Sequence, residues 1–291
     1  MTRFQLLEAH SFESVCIVRL QPRDVVGIFK DIAHADPRLA AAYERGNDLP
    51  GASLRAWADL IASQLGDADR ILEVGAGTGI FCAALAEQVP QAEIVGVDPS
   101  EPMLAEAARH HGHPRVHYRL GTADALPLDA GSCDAALLSR VVHHLPDRPA
   151  AARELARVLR PGGRVVIRTT VRERLDAPVY RYWPELLAHD ARRFPAEAEL
   201  LADFTGGGRF AVTRVFSFAQ PIARNLAELR DRYALRAESK FGVLSEAEFA
   251  AGLARLDAAV SVEPAAGPAD GDGEVLERYD VVVLERAAEP A

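Results

Sequence analysis

Between Arg70 and Phe81 the chain reads Arg-Ile-Leu-Glu-Val-Gly-Ala-Gly-Thr-Gly-Ile-Phe. Ile71, Leu72 and Val74 form a short apolar run suited to a strand buried on both faces. Gly75, Gly77 and Gly79 follow at once, and Ile80 to Gln88 reads as a helix. A strand that passes through glycines into a helix is a cradle for a nucleotide-like ligand. The glycines permit a tight turn and close approach of backbone to ligand, and the helix start offers free N–H groups.

Alternation carries the pattern onward. Glu93 to Asp98 is a second apolar strand, and Ser100 can cap a helix running to about His110. Val116 to Leu120 and Cys133 to Ser139 are strands three and four. Pro149 to Arg160 is expected to be a helix ended by Pro161-Gly162-Gly163, and Arg164 to Thr170 a fifth strand. Upstream, Ser53 can cap a helix with Trp57, Leu60, Ile61 and Leu65 on one face, stopped by Gly66. Strands alternating with helices mean a parallel sheet with right-handed crossovers. Ligands of such sheets bind beyond the carboxyl ends of the strands.

The ends of the chain read differently. Phe12 to Leu20 can be a strand and Asp24 to Ile32 a short helix. After Thr170, Val179 to Phe194 is helical in pattern and rich in aromatics and arginine. Phe210 to Ile222 and Arg278 to Glu285 are strand-like, Leu226 to Leu256 is mostly helical, and residues 264–273 form an acidic small-residue loop. The expected organisation is an N-terminal helical or cap extension over 1–45, a cofactor-binding core over 46–172, and acceptor-side lid helices with closing edge strands of the same sheet over 173–291.

Bulk properties remove several classes of function. The net charge of −9 argues against a general binder of nucleic acid or anionic membrane. No apolar run approaches the roughly 18–20 residues of a membrane span, and the N-terminus lacks the apolar core of a signal peptide. Cys16, Cys82 and Cys133 are odd in number, widely spaced and in apolar surroundings. They read as reduced thiols of a cytoplasmic protein, with no disulfide frame and no metal site.

Chemistry-bearing residues recur at strand ends. Glu73 lies one residue before the end of strand one. Asp98 ends strand two, where a carboxylate can accept hydrogen bonds from both hydroxyls of a ribose. Asp124 follows strand three, placed to accept from the exocyclic amine of a purine. Ser139-Arg-Val-Val-His-His144 follows strand four. The Gly-x-Gly-x-Gly spacing lacks the longer form of dinucleotide folds, and an acidic Glu73 repels phosphate. A ligand end bearing an ammonium fits better.

Leu72-Glu-Val-Gly-Ala-Gly-Thr-Gly79, Val97-Asp-Pro-Ser100, Gly121-Thr-Ala-Asp-Ala-Leu-Pro127, Ser139-Arg-Val-Val-His-His-Leu-Pro146 and Leu159-Arg-Pro-Gly-Gly163 resemble, in order and spacing, the motifs of class I S-adenosylmethionine-dependent methyltransferases. The likeness covers just under half the chain, from about Phe29 to Thr170. It is closest to the small-molecule branch of quinone-biosynthesis and natural-product tailoring enzymes. It implies a Rossmann-like, doubly wound α/β fold: a mostly parallel seven-stranded sheet with an antiparallel edge strand and a helical lid. It also implies S-adenosyl-L-methionine as cofactor, S-adenosyl-L-homocysteine as product and a small organic acceptor with an O-, N- or C-nucleophile.

By that resemblance Glu73 and the backbone of Gly75, Ala76 and Gly77 hold the methionine end. Asp98 and Pro99 flank the ribose, Met103 packs on the adenine, Asp124 and Ala125 read its edge, and Ser139 sits near the sulfonium. Tyr43 falls where the branch often has an aromatic that closes over the cofactor. Residues 1–40 exceed what the family core needs and can cover the cofactor or mediate a homodimer.

Several of these residues have plainer readings. Asp98 can be a helix cap, Met103 ordinary core, and Asp124 a turn initiator. His144, and after it His143, can act as general base, since imidazole titrates near neutrality. The His pair can equally only shape the start of a helix. Tyr180, Tyr182 and Trp183 can form an acceptor wall or an amphipathic packing helix. Arg232 and Arg236 can bind an anionic group or pair with acids such as Glu228. Two other functions stay in view: an S-adenosylmethionine-binding protein without methyl transfer, acting as regulator or non-methylating catalyst, and a nicotinamide-dependent oxidoreductase, which the glycine spacing disfavours. Methylation of nucleic acid is disfavoured by Ser139-Arg-Val-Val, where base-methylating relatives carry an Asn/Asp-Pro-Pro-aromatic motif.

Overall fold

The computed structural model describes residues 40–41, 44, 49–236, 238–262 and 273–288. The expected strand over 12–20, the helix over 24–32, Tyr43 and the acidic loop over 264–272 lie outside the described residues. The described residues cluster as one compact unit.

Helix α1 (Gly51–Leu65) leads into β1 (Arg70–Val74). Then follow α2 (Ile80–Gln88), β2 (Glu93–Asp98), α3 (Glu101–His110), β3 (Val116–Leu120), β4 (Cys133–Ser139), α4 (Arg148–Val158) and β5 (Leu159–Thr169). Three short helices come next, α5 (Val179–Tyr182), α6 (Glu185–Arg193) and α7 (Glu197–Thr205). The chain closes with β6 (Phe210–Ala223), α8 (Leu226–Ala234), α9 (Glu246–Val262) and β7 (Val275–Arg286). The seven strands form one sheet in the order β3-β2-β1-β4-β5-β7-β6. Pairings from β3 to β5 are parallel. Strand β7 runs antiparallel to both β5 and β6 and inserts between them, leaving β6 at the edge.

The order reverses beside β1, because β2 pairs with one of its edges and β4 with the other. The turns leaving β1 and β4 therefore diverge to opposite faces and open a crevice between them. Period-2 alternation assigns side chains to the two faces. Leu72, Val74, Ala136, Leu138, Val165 and Ile167 meet Leu155 and Val158 of α4 and Phe204 of α7. Ile71, Ala135, Leu137, Val166 and Val283 meet Trp57, Ile61 and Leu65 of α1 and Leu85 of α2. Glu73 shares a register position with Leu137 and so points to the second face.

Several local expectations are corrected. Helix α1 starts at Gly51, two residues before Ser53. Ser53 is buried inside the first turn and its hydroxyl donates to the Pro221 carbonyl of β6 at 2.7 Å, a tertiary bond no local pattern reveals. Helix α4 stops at Val158 because Leu159 already pairs with Cys133, so Pro161-Gly162-Gly163 lies within β5. The helical pattern over 179–194 is two helices. Pro184 has no N–H and drives Trp183 to φ −123°, ψ 73°.

Helices α5, α6, α8 and α9 share a separate apolar cluster around the fully buried Trp183, with Tyr182, Leu229, Tyr233, Phe241 and Leu256. A Cβ at Gly252 of α9 would enter the indole ring of Trp183. That indole is held by an Nε1–H bond to the Phe249 carbonyl at 3.1 Å. Alanine favours helix over glycine by about 1 kcal/mol, and overpacking costs about 1–3 kcal/mol. With a rigid ring as the obstacle the steric cost wins. Gly252→Ala will lower the thermal midpoint followed by circular dichroism; a raised midpoint would show that the layer repacks freely.

Candidate functional site

The turn after β1 is built from left-handed backbone. Gly75, Gly77 and Gly79 have φ of 72°, 54° and 83°, a region that costs any residue with a Cβ. A Cβ at Gly75 would strike Val141 in the turn after β4, and one at Gly79 would strike the Tyr118 hydroxyl. The N–H groups of Gly75 and Ala76 both donate to the Val97 carbonyl of β2, at 2.8 and 3.1 Å. Asp98 completes the tie. Its Oδ2 accepts from the Gly77 N–H and its Oδ1 from the Ser100 N–H, each at 2.9 Å. One carboxylate thus holds the glycine turn against the start of α3, where the Ser100 hydroxyl caps the Met103 N–H.

Beneath this turn lies Glu73, 2% exposed. The Cys82 thiol of α2 donates to its Oε2 at 2.9 Å. Burial pushes the Glu73 carboxyl up to about 8, with the charge of Asp98 adding and the Cys82 bond opposing. Among the described residues no Arg, Lys or His ion-pairs with it. A buried carboxyl with no ion-paired cation suits a ligand that brings one.

Strand β4 delivers Ser139 to the opposite lip. Arg140 follows at φ 55°, and its N–H is fixed by the Arg168 carbonyl at 2.8 Å. The pairing of Ser139 with Arg168 of β5 sets their side chains on one face, and Arg168 Nη1 donates to Ser139 Oγ at 3.3 Å. A cavity joins these elements. Its lining comprises Glu73, Gly75, Ala76, Gly77, Thr78, Ile80, Phe81, Ser139, Arg140 and Arg168, with Glu44, Leu49, Arg232, Glu277 and Tyr279 across from them.

Of the residues expected from sequence, Glu73, Gly75, Ala76, Gly77 and Ser139 meet in this cavity. Asp98 stands behind the glycine turn. Pro99 is exposed beside it, and Met103 is buried in α3. Asp124 and Ala125 are exposed in the turn after β3, which closes with an Ala125 N–H to Thr122 carbonyl bond at 3.2 Å. The start of the next segment is fastened from α4, where Glu154 accepts from the Leu126 N–H at 3.0 Å. These five lie outside the cavity lining, along the adjacent strand ends.

The expected acceptor-side residues are placed elsewhere. Trp183 and Tyr182 are buried in the apolar cluster of the helical layer rather than on the cavity wall. The Tyr180 hydroxyl donates to Asp190 at 2.8 Å. Arg236, at φ 50° past the end of α8, folds back onto the Leu244 carbonyl at 2.8 Å and over the Phe249 ring at 4.7 Å. Four residues earlier, Arg232 does line the cavity. The histidines occupy a 3-10 turn, Val142–His144. Their rings lie 4.2 Å apart, His143 lies 4.4 Å from Phe194, and Arg193 donates to His144 Nε2 at 2.8 Å. Neither lines the cavity.

Sequence reading passed over Arg168, Arg140, Tyr279 and Glu277. One signal was present. Arg168 interrupts the buried run Val165-Val166-Ile167, and a charge inside an otherwise apolar strand needs a reason. Tyr279 and Glu277 reach the cavity only because β7 inserts beside β5, a long-range pairing without a local signature.

Comparison with known proteins agrees with this geometry. Residues 72–167 match the model of a family described as a methyltransferase domain. A ubiquinone/menaquinone biosynthesis C-methyltransferase, UbiE, from Syntrophotalea carbinolica is 35% identical over 135 residues, 45% of this chain and 57% of that protein. The chain thus spans a little over half the length of that relative. A solved putative methyltransferase from an antibiotic biosynthesis pathway of Anabaena variabilis superposes with a TM-score of 0.65 at 24% identity, covering 79% of this chain and 98% of that one. The [4+2]-cyclase SpnF shares the fold with a TM-score of 0.54 at 21% identity, over 80% and 82% of the two chains. Residues 72–167 are thus similar to a methyltransferase domain, and the seven-stranded sheet that holds them has the fold of these solved structures.

Proposed function

We infer that the protein transfers the methyl group of S-adenosylmethionine to a small organic acceptor. The observation that carries this reading is Glu73: a buried carboxyl without a cation, beneath a glycine turn that Asp98 ties to the next strand. When bound, the cofactor supplies an electrophilic methyl carbon on a sulfonium. Glu73 accepts from the ligand ammonium, and the close-approach glycines admit its backbone-like end. Asp98, at the end of β2 beside the glycine turn, is the carboxylate placed to accept from the ribose hydroxyls. Met103, Asp124 and Ala125 would hold the base, and Ser139 would bind on the sulfonium side. The reaction needs alignment and exclusion of water more than acid–base chemistry. A base role for His144 would require Arg193 to release Nε2. Similarity to the Syntrophotalea ubiquinone/menaquinone biosynthesis C-methyltransferase supports a small organic acceptor. No helix among the described residues is long and apolar enough to cross a membrane. The buried, free Cys82 and Cys133 support a cytoplasmic setting.

Calorimetry with S-adenosylmethionine and S-adenosylhomocysteine tests this directly; absence of binding at high micromolar concentration ends the reading. Asp98→Ala removes the bonds that tie the glycine turn and the start of α3 together, and the ribose acceptor with them. It will weaken cofactor binding by about 1–3 kcal/mol, and unchanged affinity refutes the assignment. A second reading, cofactor binding without methyl transfer, draws on the cyclase that shares this fold. Labelled donor incubated with candidate acceptors separates the two.

A further inference from the structure

Arg168 lines the cavity and has no role in the proposed methyl transfer. It is 2% exposed and lies between aromatic faces. Its guanidinium carbon is 3.8 Å from the Tyr279 ring centre, 4.4 Å from Trp57 and 5.3 Å from Phe81. Stacking of this kind fixes the plane of the fork and leaves its N–H edge for other partners. That edge is only partly used. It meets Ser139 Oγ at 3.3 Å and makes a side-chain bond to Tyr279. Nε is buried with no acceptor, and Arg168 forms no ion pair among the described residues.

None of the acids that share the cavity forms an ion pair with Arg168. Glu277 accepts from the Tyr279 hydroxyl at 2.6 Å and acts on Arg168 only through its charge, Glu73 accepts from Cys82, and Glu44 pairs with His111 at 2.7 Å. Arg140, on the same lip, adds positive charge rather than relieving it. A guanidinium taken out of water without a counter-ion is costly. Packing alone does not explain it, since an apolar side chain of similar size would fill the space between Trp57 and Tyr279 at no such cost.

We propose that Arg168 is the carboxylate-binding residue of this cavity, its rigid fork gripping the acid group of a bound ligand. A carboxylate matches the fork bidentately. This assignment rests on the proposed function for its candidate ligands. Two sources carry the chemistry: the α-carboxylate of the cofactor's methionine moiety, and an acid group on the acceptor.

Calorimetry on wild type, Arg168→Gln and Arg168→Lys distinguishes them. The first probe pair is S-adenosylmethionine and its decarboxylated analogue, which keeps the ammonium. If the cofactor supplies the carboxylate, wild type prefers the intact compound at least tenfold, Arg168→Gln binds both alike, and Arg168→Lys lies between. The second pair is benzoate and benzamide, read as thermal shift of the protein with and without S-adenosylhomocysteine. If the acceptor supplies the acid, wild type favours benzoate, Arg168→Gln loses that preference, and the first ratio is unchanged. If Arg168→Gln leaves both ratios as in wild type, the assignment is overturned. Should Arg168→Gln fail to fold by circular dichroism, Arg168→Lys serves: wild-type ratios in both pairs overturn the assignment. Failure of wild type to bind either nucleoside sinks the methyl-transfer reading alone. The benzoate comparison on free protein then still decides Arg168, and equal shifts with benzoate and benzamide reject it.

Discussion

Glu73→Gln will make the ligand-free protein more stable at alkaline pH while removing most of its cofactor affinity. The sign follows from burial. The folded carboxyl is raised from 4.5 to about 8, so the fold favours its neutral form. The stability contributed by that neutral form is fully present below the unfolded value and is lost as pH rises through about 8. The shift corresponds to roughly 4–5 kcal/mol at pH 9. Glutamine cannot ionise and sheds this dependence. Unfolding by urea at pH 5 should therefore give similar values for the two proteins, and at pH 9 the variant should be the more stable. Binding moves the other way. An ammonium needs the ionised carboxylate, so below pH 8 wild-type affinity for S-adenosylhomocysteine should fall about tenfold per pH unit. The variant should show a flat profile and lose about 2–3 kcal/mol of binding at pH 8. Parallel pH profiles for both proteins would place the ammonium elsewhere.

The glycine turn makes a second prediction, and its force lies in a contrast between neighbours. Gly75 and Gly77 both have left-handed backbone, at φ 72° and 54°. An added Cβ at Gly75 meets Val141, whereas at Gly77 nothing lies within 4 Å. Gly75→Ala incurs left-handed strain of roughly 1–2 kcal/mol and overpacking of about 1–3 kcal/mol. It should lower stability by about 2–5 kcal/mol, measured by urea denaturation. Gly77→Ala incurs only the strain and should fold. Its methyl group projects into the cavity, however, so calorimetry should show cofactor affinity cut by an order of magnitude or more. If Gly77→Ala binds as wild type, the open space over Gly77 is not ligand space. The two variants together separate a turn needed for folding from a surface needed for binding.

How much of this was legible beforehand varies along the chain. Strands β1, β2 and β4 carry apolar runs bounded by glycine, proline and capping residues, β3 is the polar edge strand Val116–Leu120, and the limits of all four matched the structure. So did the placing of Glu73, the glycine turn and Ser139 at one crevice. Errors gathered where a distant segment decides the local outcome. Ser53 looked like a cap and became a tertiary donor to Pro221. Pro161-Gly162-Gly163 looked like a helix stop and became the start of β5, because Leu159 already pairs with Cys133.

The residues after Thr170 were the least readable. Tyr182 and Trp183 looked like a binding wall because they are aromatic, but aromatics serve a core and a ligand equally well, and only burial separates the two uses. Arg232 and Arg236 were alike in sequence, yet one lines the cavity and the other binds the Leu244 carbonyl just before α9. The donor side of the site is built by turns that follow immediately from their own strands, so short-range pattern is enough to find it. The far wall is assembled by β7 inserting beside β5, which brings Tyr279 against Arg168 across more than a hundred residues of chain. Local periodicity says which side of a strand a residue occupies; which strand lies alongside is settled only when the whole sheet closes its hydrogen bonds.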